Sequence, residues 1–252
     1  MRRVVSLFLP HWSTDRLRRK TAKSPPEAGK PQLPLVTAMP DHGRRIIASV
    51  DQAARRLGIM PGMTITRARM LSPDLHIVDA DPDADWEGLR RLTLWAGTRY
   101  SPIVSPDPPD GIWIDITGCA QRFDNERALL KDLHRRVAAN GLGVQIAVAD
   151  TAGCAHAVAR HVPSGRPTTI LPGEHRNAMA LLPISGLRLD AVTVDGLRKL
   201  GFERVEQIIA TPRGPLAKKV RTQSAPPAGS GAGLCTRTTA ADLSRSSAEQ
   251  PP

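Results

Sequence analysis

Residues 4–9 form a short, nearly continuous apolar run, rich in β-branched side chains and ended by Pro10, which predicts a buried strand. A helix is expected to follow from Ser13 or Thr14. Pro25, Pro26, Gly29, Pro31 and Pro34 make residues 22–34 a loop. Residues 35–39 and 45–50 read as two strands joined through the Asp41-His42-Gly43 turn. Ser49 or Asp51 can cap the next helix, which runs through Ala53, Ala54 and Leu57 and stops at Gly58. Pro61 and Gly62 open another short segment, residues 64–71, closed by Pro73. Within residues 85–100, Trp86, Leu89, Leu92 and Trp95 or Ala96 recur at helical spacing, leaving Arg90 and Arg91 outward. Residues 112–116 alternate, with Ile112, Ile114 and Ile116 on one face and Trp113, Asp115 and Thr117 on the other, as a strand requires. Residues 126–139 turn Leu129, Leu130, Leu133 and Val137 inward as an amphipathic helix; residues 144–149 form a strand and 153–161 a helix. From residue 181 the pattern shortens to helices at 190–200 and 205–210, with a further start at Pro212.

The order strand, helix, strand, strand, helix, strand, helix predicts an α+β fold: a ferredoxin-like sheet with a small subdomain inserted after its first helix, followed by a small helical domain. Residues 221–252 hold no aromatic side chain and two large aliphatics, Leu234 and Leu243. Such a segment cannot offset roughly 1–2 kcal/mol of backbone entropy per ordered residue, so it is expected to be a disordered tail.

A chain of 252 residues, 40% hydrophobic, can bury a core and form one large or several small domains. No stretch reaches the ~18 uninterrupted apolar residues of a membrane helix, and residues 1–10 are too short for a signal peptide, so a cytoplasmic protein is expected. Cys119, Cys154 and Cys235 are widely spaced, which supports neither a disulfide framework nor a zinc knuckle. The offsets of two and five among Cys154, His156 and His161 put them on different faces of a helix, so no metal site is expected there. Gly229–Gly233 lacks the Gly-Lys-Ser/Thr ending of a phosphate-binding loop.

Charge adds direction. The net +11, with a pI near 10.5, favours a polyanionic partner. Residues 1–72 carry 14 Lys/Arg against 4 Asp/Glu, residues 73–130 carry 5 against 11, and residues 131–252 carry 16 against 9. Two basic regions thus flank an acidic one, a layout suited to gripping a phosphate backbone around a central site; solvated surface charge is the alternative.

Four segments in this order resemble the Y-family translesion DNA polymerases, specifically their ImuB-like branch, a catalytically degenerate group of UmuC-domain proteins. They are Ser6-Leu7-Phe8-Leu9-Pro10, the stretch from Ser49-Val50 to Pro61-Gly62-Met63, Gly111 through Cys119, and Leu197-Arg198-Lys199-Leu200-Gly201. The resemblance covers roughly residues 4–219. It implies a palm from residues 1–20 and 74–165, fingers from 21–73 and a helical thumb from 166–220. It also implies a further DNA-binding domain after the thumb, so the abrupt change of composition past Lys219 reads as a truncation or an out-of-frame segment.

Active members of that family need carboxylates to hold two metal ions about 3.5–4 Å apart. The resemblance places Leu7 and Leu9 where the first strand carries Asp-x-Asp, and Asp110 and Gly111 where an Asp-Glu pair stands. Asp110 is then a vestigial acidic position, Leu7 and Gly111 are lost ligands, and no catalytic set is intact. Asp115 shares the Trp113 face and is expected to be structural. Gln52 and Arg55 match the Tyr and Arg that meet the incoming triphosphate; Thr151 and Ala152 match an Asn-Lys pair, and Trp12 the aromatic that discriminates against ribose. Arg55, Lys218 and Lys219 are the candidate DNA or nucleotide contacts. The resemblance thus implies a non-catalytic accessory protein in DNA repair and damage-induced mutagenesis, with no cofactor and with Mg²⁺ only if residual polymerase activity exists. Its implied partners are DNA, an error-prone replicative-type polymerase, a RecA-like mutagenesis partner and the sliding clamp, with no membrane. The competing readings are a weakly active translesion polymerase and a non-functional truncated product.

Overall fold

The computed structural model describes residues 2–21 and 33–211. The expected disordered tail, the helix start at Pro212 and the candidates Lys218 and Lys219 lie outside the described residues.

The chain runs β1 (Val4–Phe8), α1 (Trp12–Thr21), β2 (Leu35–Asp41), β3 (Arg44–Val50), α2 (Gln52–Arg56), α3 (Ile65–Leu71), β4 (His76–Asp79), α4 (Pro82–Arg99), β5 (Val104–Asp107) and β6 (Gly111–Asp115). It continues through α5 (Glu126–Ala139), β7 (Gln145–Ala149), α6 (Ala152–His161), β8 (Thr168–Thr169), α7 (His175–Ala180), α8 (Ala191–Lys199) and α9 (Val205–Ala210). One sheet has the order β5-β6-β1-β7-β8 and the other β3-β2-β4, which is the α+β arrangement expected.

In the larger sheet β1 is central, antiparallel to β6 on one side, with Leu7 opposite Ile112, and to β7 on the other, with Leu7 opposite Ile146. Strand alternation sorts its side chains. Val5, Leu7, Leu9, Ile112, Ile114, Ile116, Ile146 and Val148 face the main core with Leu89 and Ala96 of α4 and Leu129, Leu130, Leu133 and Val137 of α5. Phe8, Trp113, Ala147 and Ala149 face the second core, formed with α6. Burying both faces explains why β1 is apolar except for the buried Ser6, while β6 alternates large aliphatics with Trp113 and Asp115.

Local signals set most helix starts. Asp51 accepts from the Ala54 amide at 2.7 Å, Asn125 from Ala128 at 2.9 Å and Asp190 from Thr193 at 2.8 Å. Three expectations need correction. The helix expected at 85–100 begins at Pro82, because Asp81 caps it by accepting from the Ala84 amide at 3.0 Å and Pro82 suits the first turn. Its buried stripe is Leu89, Thr93 and Ala96, while Trp86 is 46% exposed. Finally, β4 pairs in parallel with β2, so the smaller sheet extends past the expected boundary at residue 73 to Asp79. Four residues with a half-exposed pattern carry no periodic signal for that strand.

Candidate functional site

The two sheets meet at the C-terminal end of β1. There α1 leaves the larger sheet and its side chains bind the smaller one: Arg18 donates to the Asp51 carboxylate and, at 2.8 Å, to the Leu33 carbonyl. The His11 ring nitrogen Nδ1 lies 2.8 Å from the Val50 carbonyl. A cleft of about 440 Å³ opens between the sheets, lined among others by Leu9, Trp12, Arg55, Trp86, Pro109 and Asp110.

The structure therefore brings Arg55, Trp12 and Asp110, far apart in sequence, to one cleft. Arg55 is exposed on α2 and has no ion-pair partner among the described residues. Gln52, in the first turn of the same helix, is exposed too. Trp12 is only 4% exposed; its indole N–H donates to the Asp85 carbonyl at 3.0 Å, and its ring lies against Gly88, where an added Cβ would come within 2.9 Å. Trp12 thus joins α1 to α4 while one edge borders the cleft. Thr151 accepts from the Cys154 amide at 3.4 Å as the cap of α6, and Ala152 opens that helix.

Leu7 and Gly111 are not brought together. Leu7 has no exposed surface and points into the main core, whereas Gly111, opposite Phe8, faces α6. Asp110 stays close to β1, its carbonyl accepting from the Leu9 amide at 2.8 Å. Its carboxylate receives Nη2 of Arg160, from α6, at 3.0 Å. Burial pushes the Asp110 carboxyl above the usual range while the Arg160 guanidinium opposes the rise. The same Nη2 donates to Oδ2 of Asp107 at 3.2 Å, and Arg188 donates to Oδ1 of Asp107 at 3.3 Å. Asp107 is 5% exposed. Arg160 also lies over the Phe8 ring and Arg188 over Trp113, with His156 stacked on Trp113 at 5.7 Å. Burial, with the Arg160 charge beside it, pushes His156 down to about 4, so its ring is neutral at physiological pH.

Neither Asp107, Arg160 nor Arg188 is a residue that sequence reasoning singles out. Asp107 sits three residues before Asp110 in a Pro-rich stretch, which is a weak hint, and nothing in the spacing of α6 points to Arg160. Asp115 lies on the Trp113 face, accepts from the Thr117 amide at 3.0 Å and pairs with Arg2 at 3.5 Å, away from Asp110. Cys154 is buried, which pushes its thiol up to about 11. The thiol lies 3.8 Å from the His175 carbonyl.

The metal chemistry implied by the fold family does not fit these residues. At the first-strand position an aliphatic side chain faces the core, and at the Glu position the space a Cβ would fill is held by a guanidinium, with Nη2 of Arg160 at 2.9 Å.

A ferredoxin-like palm with a small three-stranded subdomain across a cleft is the palm and fingers of the Y-family polymerases. The model of the impB/mucB/samB family matches residues 29–160, more than half of the chain, and the chain belongs to that family. It is 42% identical over 163 residues to protein ImuB of Caulobacter vibrioides, covering 65% of this chain and 35% of that protein. It is 29% identical over 179 residues to DNA polymerase IV of Pseudomonas putida, 70% of this chain and 49% of that one. The chain thus spans between a third and a half of the length of these relatives. DinB from Sulfolobus solfataricus superposes with a TM-score of 0.67 at 18% identity, over 89% of this chain and 68% of its own.

Proposed function

We propose that this chain is a non-catalytic, Y-family polymerase-like accessory protein of DNA repair and damage-induced mutagenesis, one that binds damaged or primer-template DNA. The observation that carries this reading is the pair Leu7 and Gly111: one sealed in the core, the other without a side chain and pressed against Arg160. Transfer of a nucleotidyl group needs charge stabilisation worth several kcal/mol at the transition state. Asp110 and its neighbour Asp107, both already engaged by Arg160, offer little of it. The DNA-binding part of the proposal rests on the net charge of +11, on Arg55 exposed at the cleft and on the relatives named DNA polymerase IV. By family resemblance the protein partners would be an error-prone replicative-type polymerase, a RecA-like protein and the sliding clamp.

Primer extension with Mg²⁺ or Mn²⁺ tests the reading. No template-directed incorporation is expected. Extension that survives controls for contaminating polymerase and disappears in Asp110→Ala would instead establish a weakly active translesion polymerase.

A further inference from the structure

The centre that has lost its ligands is not simply degraded. Two carboxylate oxygens on different residues, Oδ2 of Asp107 and Oδ1 of Asp110, converge on one nitrogen, Nη2 of Arg160, at 3.2 and 3.0 Å. Convergence of carboxylates from separate residues on one point is the way proteins hold a cation. Here the cation is part of the chain. Its other contacts fit the same role: the guanidinium lies 4.6 Å from the centre of the Phe8 ring, and its side chain is 16% exposed. Asp107 is closed off on its other oxygen by Arg188. With Arg160 in this place the position next to Asp110 leaves little room for a side chain: a Cβ at Gly111 would stand 2.9 Å from that same Nη2, which would have to shift, and 3.2 Å from both the carbonyl and Oδ2 of Asp107.

We propose that Arg160 is a built-in counter-cation: it holds Asp107 and Asp110 in the place where a divalent ion would otherwise be drawn, and Gly111 is the space that lets it do so. The proposal rests on the non-catalytic reading, which it explains in terms of charge. The buried acids remain because a guanidinium neutralises them. Removing that guanidinium leaves two carboxylates beside Arg188 and the His156 ring, whose Nε2 lies 3.6 Å from Oδ2 of Asp107, a local charge that attracts Mn²⁺ or Mg²⁺.

Mn²⁺ binding to the DNA-free protein, read by water-proton relaxation and by the melting temperature with and without Mn²⁺, tests it. The wild type is expected to show no saturable binding and no shift in melting temperature. Arg160→Ala is expected to melt lower, because a buried acid loses its partner, and to gain a saturable Mn²⁺ site that raises the melting temperature again. Loss of a unit charge about 3 Å from both carboxylates should tighten Mn²⁺ binding about tenfold or more. Adding Asp110→Asn to Arg160→Ala should abolish the gain. Arg160→Gln, which keeps most of the packing without the charge, carries the same expectation should Arg160→Ala not fold without metal. Saturable Mn²⁺ binding by the wild type, or no Mn²⁺ gain and no recovery by Mn²⁺ in either Arg160 variant, overturns the proposal. Primer extension by the wild type would refute the non-catalytic reading separately, since these arms contain neither DNA nor nucleotide.

Discussion

Placing a carboxylate on the first strand by Leu7→Asp is expected to destabilise the fold rather than create a catalytic centre. Leu7 has no exposed surface, and its surroundings are aliphatic and aromatic side chains of the main core. Giving up its burial costs roughly 1.5–3 kcal/mol. A carboxyl left there without a hydrogen-bond partner costs a further ~1–3 kcal/mol even when protonated. The sum, ~2.5–6 kcal/mol, is a large part of the ~5–15 kcal/mol that holds a typical domain together. Ionisation adds to it. Burial raises the folded-state pKa of the new Asp above its unfolded value of ~3.9, so the folded state holds more protons between the two values and stability falls as pH rises through that window. Leu7→Asn, similar in shape and without a charge, should show the polar cost alone. Urea melts of wild type, Leu7→Asp and Leu7→Asn from about pH 4 to 8 measure this, with the slope per pH unit bounded near 1.4 kcal/mol. The Asp variant should separate from the Asn variant as pH rises. If the two follow the same curve throughout, the carboxylate is solvated, the side chain at position 7 reaches the cleft, and the argument from the buried first strand fails. Leu7→Asp combined with Gly111→Glu should likewise show no primer extension.

DNA binding is expected to be independent of sequence and strongly weakened between about 50 and 200 mM salt, as phosphate contacts dictate. Charge reversal at Arg55 with Lys218 and Lys219 should lower affinity for all sequences alike; titrations that are indifferent to salt would contradict this. Asp132 accepts from Tyr100 at 2.9 Å, Arg135 at 2.7 Å and Arg136 at 2.9 Å. Burial works against its ionisation, yet these donors together hold its carboxyl well below the usual range. A depressed folded-state pKa gives stability that is present above the unfolded value of ~3.9 and is lost as pH falls toward the folded value. Asp132→Asn should therefore lose about 1–3 kcal/mol at pH 7, with the gap to wild type narrowing below about pH 4 in chemical melts; an equal gap at both pH values would show that the contacts are not charge-assisted.

Elements whose cause lies within a few residues were legible in the sequence. The alternation of Ile112, Ile114 and Ile116 with Trp113 and Asp115, the inward row Leu129, Leu130, Leu133 and Val137, and the cap at Asp51 each follow from periodicity or from one side chain reaching the next turn. The expectation that Leu7 and Gly111 stand at acidic positions of the resembled family was read in the same way, because resemblance is read position by position. Tertiary structure alone decided what stands in their place. Arg160 is 53 residues from Asp107 and 50 from Asp110, and Trp12 meets α4 at Gly88. Strands β4 and β8, of four and two residues, exist because β2 and β7 offer a free edge. Such contacts join side chains that are distant along the chain and leave no period in it. Whether an arginine neutralises a buried acid or merely coats a helix depends on which strands the fold has laid beneath it.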